Sequence, residues 1–197
     1  TLGPDADRIL AGIGISLYYV DEENSIRKEG NIYIGIVKDI VKGMQSAFVD
    51  IGTEKNSFIH LKDILDKIDE SKENINPKID ISDIIKTGQK LLVQVKKDSN
   101  LQKGARVSTH INLPSKYIAL MPNTDIVTIS QKITDSKEKE RLVKLVKENL
   151  SKGNGAIIRT SAIGKEQEII EDIKNIEAKW EKIEISFKND KGNKPKL

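Results

Sequence analysis

Hydrophobic and polar residues alternate in short segments along the first half of the chain, and glycines separate these segments. In residues 31–41 three isoleucines occupy alternate positions, a period of two that predicts a β-strand with one buried face. Similar segments predict further strands, with two short ones in the last range: 15–23, 43–52, 56–61, 88–98 and 106–122. Five or so short strands of this kind favour a small closed barrel of the oligonucleotide-binding (OB) type.

The period of the hydrophobic positions changes after residue 130. Within residues 134–155 leucines and valines lie at helical spacing, and Asp135 with Glu138 forms a capping pair before them. Residues 155–164 predict a short apolar strand, and residues 165–183 predict a second helix with one apolar face. This half of the chain is therefore expected to be a small α/β region.

Two polar segments interrupt these patterns. Residues 62–87 are rich in charge and predict an insertion into the barrel that contains a short helical piece. Residues 187–197 predict a loose polar tail. The predicted fold class is α+β, with a barrel followed by an α/β region.

Composition excludes several classes of function. The chain has 197 residues, and 33 lysines and arginines against 30 acidic residues give a net charge of +3, which permits an anionic partner without requiring one. The lack of cysteine excludes disulfides, thiolate zinc sites and a cysteine nucleophile, and two histidines are too few for a metal cluster. No apolar segment approaches the length of a membrane span, so we expect a cytoplasmic protein with no membrane partner.

Two of the three phenylalanines, Phe48 and Phe58, lie on neighbouring predicted strands that a short turn joins. If both rings faced outward, near Lys55 and His60, they would form a stacking platform for single-stranded nucleic acid. If both faced inward, they would fill the barrel core. The residue pattern alone favours the core, because phenylalanine is usually buried.

Two further groups of residues could hold phosphates. Lys103 and Arg106 belong to a basic loop that could contact a nucleic-acid backbone, although a solvated loop fits the pattern equally well. Arg159 and Thr160 follow an apolar strand, and a guanidinium beside a hydroxyl can bind a terminal phosphate. Taken alone, Arg159 is better explained by an ordinary surface ion pair. No spacing of serine, histidine and acidic residues predicts a catalytic set.

Three stretches, in this order and at this spacing, resemble one protein family. They are GNIYIGIVKDIVKGMQSAFVDIGTEKNSFIHLKDI (30–64), KGARVSTHINLPSKYIALMPN (103–123) and GAIIRTSAIGK (155–165), and Trp180 matches a further family position. Together they resemble the N-terminal half of the bacterial ribonuclease E/G family, over about residues 30–183.

The resemblance implies an arrangement of domains. Residues 30–115 would form an S1-type OB barrel of five strands, with residues 62–87 as its insertion. Residues 1–29 would supply leading strands of a ribonuclease H-like subdomain. Residues 116–186 would form a 5′-sensor-like α/β region, followed by the polar tail.

The resemblance also assigns residues to an RNA-binding surface on the barrel. Phe48 and Phe58 fall on the two aromatic positions that contact RNA in the family, which reverses the preference for the core. Lys103 falls on a basic RNA-contacting position. With His60 and Arg106, which lie nearby in the predicted strands, these residues make up the expected RNA-binding set.

A second set of family positions binds a 5′-monophosphate. Arg159 and Thr160 fall on this pocket, and Ser115 and Ala119 fall on two more of its positions, where better-studied relatives have glycine and valine. Residues 130–133 replace a family stretch that carries paired arginines, so we expect one basic contact to be weaker.

In the family, the catalytic domain with two Mg²⁺-binding aspartates and a cysteine zinc link between subunits follows this point. We therefore expect a cofactor-free fragment, inactive alone, of a homo-oligomeric, metal-dependent endoribonuclease. Its partner would be single-stranded RNA, preferably with a 5′-monophosphate. A free-standing S1 RNA-binding module without nuclease activity is the alternative, and a barrel that binds a protein or an oligosaccharide ranks last.

Overall fold

The computed structural model of the protein describes residues 27–64, 79–192 and 194–197. The strand predicted at 15–23 and most of the expected leading segment lie outside these residues. Five strands close into a barrel in the order β1-β2-β3-β5-β4: β1 (Ile32–Val41), β2 (Ser46–Asp50), β3 (Ser57–His60), β4 (Lys90–Lys97) and β5 (Arg106–Ser108). All pairings are antiparallel except β3 with β5. The predicted five-stranded OB barrel is confirmed.

Alternate residues of the strands fill the barrel interior. Ala47 and Val49 of β2 and Ile59 of β3 are buried, as the period of two requires. The expectation that β1 buries only one face is wrong. Tyr33 belongs to the barrel core, whereas Ile32, on the opposite face, packs against the core of the second region.

In the described part of the insertion, residues 62–64 and 79–87, the α-helical piece is the single turn α1 (Ile81–Ile84). Asp80 caps it, because its carboxylate accepts a hydrogen bond from the backbone N–H of Ser82 at 2.9 Å. Ile81 and Ile85 are buried in the barrel core, so this turn covers part of the barrel interior.

The second region contains a four-stranded sheet in the order β6-β7-β9-β8 and two longer helices. Their bounds are β6 (Leu113–Pro114), β7 (Ile118–Pro122), β8 (Val127–Ile129), α2 (Ser136–Asn149), β9 (Asn154–Ile158) and α3 (Gln167–Asn189). Strand β8 runs parallel to β9, and the other pairs are antiparallel. Ile169, Ile173 and Trp180 of α3 are buried in a core that the sheet and α2 complete.

Helix α2 begins as predicted at Asp135, whose carboxylate accepts hydrogen bonds from the N–H groups of Lys137 and Glu138. Glu138 does not complete the capping pair, because its carboxylate binds Arg141 at 2.6 Å. Within the described part of the chain, no helix has both the length and the apolar content needed to cross a membrane.

The tail that was expected to be loose is attached to the barrel, so that expectation is wrong. Helix α3 continues through Asn189, and Lys196 exchanges two backbone hydrogen bonds with Ile34 of β1, at 2.7 and 3.1 Å. The ammonium groups of Lys90 and Lys196 bind the carboxylate of Asp190 at 2.8 and 2.6 Å. The hydrogen bonds from Lys196 and then Lys90 lower the pKa of Asp190 to about 2.

Candidate nucleic-acid interface

Phe48 and Phe58 face each other across β2 and β3 on the outer surface of the barrel. The two residues are direct partners in the antiparallel register. Ala47 and Val49, the chain neighbours of Phe48, take the inward positions. Phe48 therefore points outward and is 43% exposed. The interpretation from the residue pattern, that these rings fill the core, is therefore wrong.

These rings lie in an open groove of about 710 Å³, which we call the aromatic groove. All five residues expected to contact RNA line it: Phe48, Phe58, His60, Lys103 and Arg106. Met44 and Lys62, which no sequence pattern had marked, line it as well. Met44 is 69% exposed, and its thioether is an adaptable apolar surface for a flat partner. The groove thus combines apolar surface with several cations.

Local hydrogen bonds shape the loop that carries Lys103. The Asn100 side chain accepts hydrogen bonds from the N–H groups of Gln102 and Lys103, both at 2.8 Å. Lys55 donates from its ammonium to the carbonyls of Asn100 and Leu101 at 2.9 and 2.6 Å. Lys55 therefore holds the loop, whereas the ammonium of Lys103 has no partner among the described residues and is available to an anion.

Arg106 is paired within the protein. Its Nε and Nη2 groups donate to the two carboxylate oxygens of Asp63 at 3.1 and 2.9 Å. This hydrogen bonding, together with the attraction of the carboxylate charge, raises the pKa of Arg106 above its ordinary value. The guanidinium is half-exposed, but much of its charge is balanced by a nearly buried carboxylate. A phosphate should therefore be attracted less strongly by Arg106, which is paired with Asp63, than by Lys103, whose charge is not balanced in this way.

Sequence reasoning missed Asp63, although a local signal existed. Asp63 is the third residue after His60, and the two form a capping box around the short turn Leu61–Asp63. The backbone N–H of His60 donates to Asp63 at 3.3 Å, and Nδ1 of His60 accepts from the N–H of Lys62 at 3.0 Å. Because Nδ1 accepts this hydrogen bond, the ring proton lies on Nε2, which can act as a donor for a ligand in the groove.

The second expected site lies on the sheet of the other region, where β7 and β9 pair. Arg159 donates its backbone N–H to the carbonyl of Tyr117 at 2.9 Å and its Nη1 group to the carbonyl of Ser115 at 2.6 Å. The Ser115 hydroxyl donates to Asp172 of α3, and the same carboxylate accepts the N–H of Tyr117 at 2.9 Å. Asp172 thus fixes the turn that orients Arg159. Asp172 lies 57 residues from Ser115 in the chain, so no local sequence pattern could indicate this contact.

The structure brings Arg159, Thr160 and Ser115 together. Thr160 is exposed and follows Arg159 directly, at the start of the short turn Thr160–Ala162. Ala119 lies farther along β7, is nearly buried and pairs with Ile157. The N–H of Ser115 is used within its own turn, because it donates to the carbonyl of Ile118 at 2.8 Å.

An ion pair at the start of α2 holds the segment that follows Thr160–Ala162. Arg141 donates to Glu138 at 2.6 Å and to the carbonyl of Lys165 at 3.0 Å. Glu138 also accepts the backbone N–H of Gly164 at 2.7 Å. The hydrogen bond from Arg141 and then that from Gly164 lower the pKa of Glu138 to about 2. These contacts fix the loop beside Arg159, Thr160 and Ser115, which together we call the Arg159 site.

Comparison with protein-family models divides the chain as the structure does. Residues 27–109 match the S1 RNA binding domain, and residues 112–197 match the Ribonuclease E/G family. The chain belongs to the ribonuclease E/G family. In this family member the aromatic groove lies on the S1 domain, which indicates RNA binding, and the Arg159 site lies in the family-specific region.

Similar proteins agree with this assignment. Ribonuclease G of Escherichia coli strain K12 is 42% identical over 159 residues, which are 78% of this chain and 32% of that protein. Ribonuclease G of Haemophilus influenzae is 40% identical over 158 residues, again 78% and 32% of the two chains. Ribonuclease E of Nostoc sp. is 36% identical over 157 residues, 79% of this chain and 22% of that one. The chain thus spans about a third of its ribonuclease G relatives.

The family resemblance implies magnesium for the parent enzyme. Within residues 27–64, 79–192 and 194–197, no three histidine, aspartate or glutamate side chains converge as ligands of a metal ion would.

Proposed function

We propose that this chain is the RNA-binding and 5′-monophosphate-sensing part of a ribonuclease E/G-type endoribonuclease that takes part in RNA processing and decay. The observation that carries the proposal is the outward pairing of Phe48 with Phe58 beside cationic side chains that have no partner among the described residues. Apolar side chains that lie together on a surface often mark an interaction site, and a groove with adjacent cations suits single-stranded nucleic acid.

Bases would stack on the two rings while the backbone phosphates contact lysines of the groove. Stacking of one base on an aromatic ring contributes about 1–3 kcal/mol and depends little on the identity of the base. Lys62, Lys97 and Lys103 line the groove, and each phosphate they neutralise makes the affinity more dependent on salt. Nε2 of His60 adds a further hydrogen-bond donor.

The 5′ end would bind at Arg159. Its Nη1 group is anchored on the Ser115 carbonyl, which leaves Nε and Nη2 without a partner among the described residues. These two groups have the fork geometry that pairs with two phosphate oxygens, and the Thr160 hydroxyl adds a third hydrogen bond. Each charged hydrogen bond contributes about 1.5–3 kcal/mol, so an RNA with a 5′-hydroxyl would bind more weakly. Ala119 would only shape the floor of this site.

Cleavage would take place elsewhere in the parent protein. A metal-bearing catalytic domain would hold Mg²⁺, and the parent would be a homo-oligomer acting on cytoplasmic RNA. The role of the present residues is to bind the strand and its 5′ end, and so to place the RNA for cleavage. Binding without cleavage is the expected behaviour of this chain.

Fluorescence anisotropy with RNAs of one sequence, bearing a 5′-monophosphate or a 5′-hydroxyl, tests the proposal. We expect Phe58→Ala to weaken the binding of both RNAs about 5- to 150-fold. Arg159→Ala should remove the preference for the monophosphate and leave the binding of the 5′-hydroxyl RNA unchanged. Phe187→Ala and Lys179→Ala, both on α3, are the matched controls.

Two results would contradict parts of the proposal. Equal affinity of the parent chain for the two RNAs would remove the sensing role and leave RNA binding. Failure of the parent chain to bind either RNA, or binding that Phe58→Ala does not alter, would remove the assignment of the aromatic groove.

A further inference from the structure

A second cleft, which we call the junction cleft, lies where the barrel meets the sheet of the other region. Its volume is about 690 Å³. Ser108 and Thr109 at the end of β5 line one side, and the turn after β7, which contains Asn123 and Thr124, lines the other. The segment that joins the two regions contributes Asn112.

The junction cleft is next to the aromatic groove. Arg106 lines both, and it is the register partner of Phe58 across β3 and β5. Because Asp63 holds the guanidinium at two points, Arg106 forms a fixed ridge between the groove and the cleft. An RNA strand with one base stacked on Phe58 could place the next base over this ridge.

Two asparagines, Asn112 and Asn123, line the junction cleft. The N–H and carbonyl of Asn112 form hydrogen bonds with the Gln94 side chain, both at 2.8 Å. Asn123 directly follows β7 and has a φ of +62°, a conformation that asparagine tolerates better than most residues. Neither amide group forms a hydrogen bond with another described residue. The two amides are therefore available to a ligand, and Gln94 holds the backbone of Asn112 in place before a ligand binds.

The chemistry of the junction cleft differs from that of the aromatic groove. Among the described residues that line it there is no phenylalanine, tyrosine or tryptophan, so stacking on such a ring is not its mode of binding. An asparagine amide offers two donors and one acceptor, and it pairs with adenine through two hydrogen bonds. Unpaired RNA bases are recognised in proteins by hydrogen bonds to their edges.

We propose that the junction cleft binds the base of one unpaired RNA nucleotide and that Asn112 and Asn123 read the edge of that base. This inference rests on the proposed RNA binding at the aromatic groove, since the same strand continues into the cleft. It gives the protein a base preference, with adenine favoured, that stacking on Phe48 and Phe58 does not supply.

The test uses the whole chain and 5′-hydroxyl RNA decamers of uridine, with or without one central adenosine, cytidine or guanosine. We expect the parent to bind the adenosine decamer about five- to tenfold more tightly than all-uridine RNA, at the lower end of the range for a two-bond contact. The double variant Asn112→Ala/Asn123→Gly should lose this ratio and keep its affinity for all-uridine RNA. Glycine at position 123 retains the positive φ without strain.

Asn175→Ala, an exposed position on α3, is the matched control, and urea unfolding checks that each variant is folded. The inference would be overturned if the parent bound the adenosine decamer and all-uridine RNA with nearly equal affinity. It would also be overturned if the double variant retained the parent's preference for the adenosine decamer. If that happened while Phe58→Ala still weakened the binding of all-uridine RNA, the proposed function would stand. If the parent bound none of the decamers, the inference and the proposed function would fail together.

Discussion

Lys103 and Arg106 line the same groove, yet they should contribute differently to the salt dependence of RNA binding. Lys103 has no anionic partner among the described residues, whereas Arg106 binds both oxygens of Asp63 at 2.9 and 3.1 Å. Each phosphate that a cation neutralises on a single strand adds about 0.7 to the slope of log affinity against log salt. A tenfold rise in salt should therefore weaken the parent about fivefold more than Lys103→Ala.

The matched comparison removes the charges of Arg106 and its partner together. The double variant Arg106→Gln/Asp63→Asn leaves the net charge unchanged, and the amide oxygen that it introduces would still accept the N–H of His60, so we expect the parent slope. Asp63→Asn alone frees the guanidinium and should steepen the slope by about 0.7. Anisotropy titrations over a tenfold range of salt measure these slopes. If the double variant lowered the slope of log affinity against log salt as much as Lys103→Ala does, Arg106 would contact phosphate directly in spite of its pairing with Asp63.

Two further predictions concern stability. Glu138 has a pKa of about 2 against an ordinary 4.5, because Arg141 and the N–H of Gly164 favour its charged form, so its contribution to stability is present above pH 4.5 and is lost as the pH falls towards 2. Carboxyl NMR titration and acid unfolding should show this loss in the parent and not in Glu138→Gln. A Cβ at Gly104 would lie 1.9 Å from the Asn56 carbonyl oxygen, so Gly104→Ala should lower the free energy of unfolding by about 1–3 kcal/mol in urea titrations, and an unchanged value would mean that the backbone of the loop moves freely.

Much of the fold follows from short-range patterns in the sequence. A period of two marks the strands of the barrel, and a helical period with Asp135 as cap marks α2. Strand β8 was not predicted from the sequence, because it has three residues and none of them is buried. The attachment of Lys196 to Ile34 was not predicted either, since a backbone bridge between residues so distant in the chain gives a polar tail no recognisable sequence pattern.

The outward position of the phenylalanines could have been derived without any family. Ala47 and Val49 surround Phe48, and small or β-branched residues suit the crowded interior of a narrow barrel. Alternation then sends Phe48 outward, and its register partner Phe58 follows. General burial statistics pointed the other way because they ignore which face of the strand a residue occupies. Asp172, which supports the Arg159 site from another element, could not be found by any local pattern.

Under the proposed function both candidate surfaces bind one RNA, and the connection between the two regions holds these surfaces in a fixed relation. Lys196 pairs with Ile34 of the barrel, and Asp190 at the end of α3 binds Lys90 of β4, so the sheet with Arg159 and the barrel with the aromatic groove are joined at more than the linking segment. Once the 5′ end is bound, the groove meets the rest of the same strand at a high effective concentration. The gain exists only for an RNA long enough to reach both surfaces, because a shorter one occupies either surface alone. Preference for a 5′-monophosphate should therefore grow with RNA length until the strand spans both sites, and then stay constant.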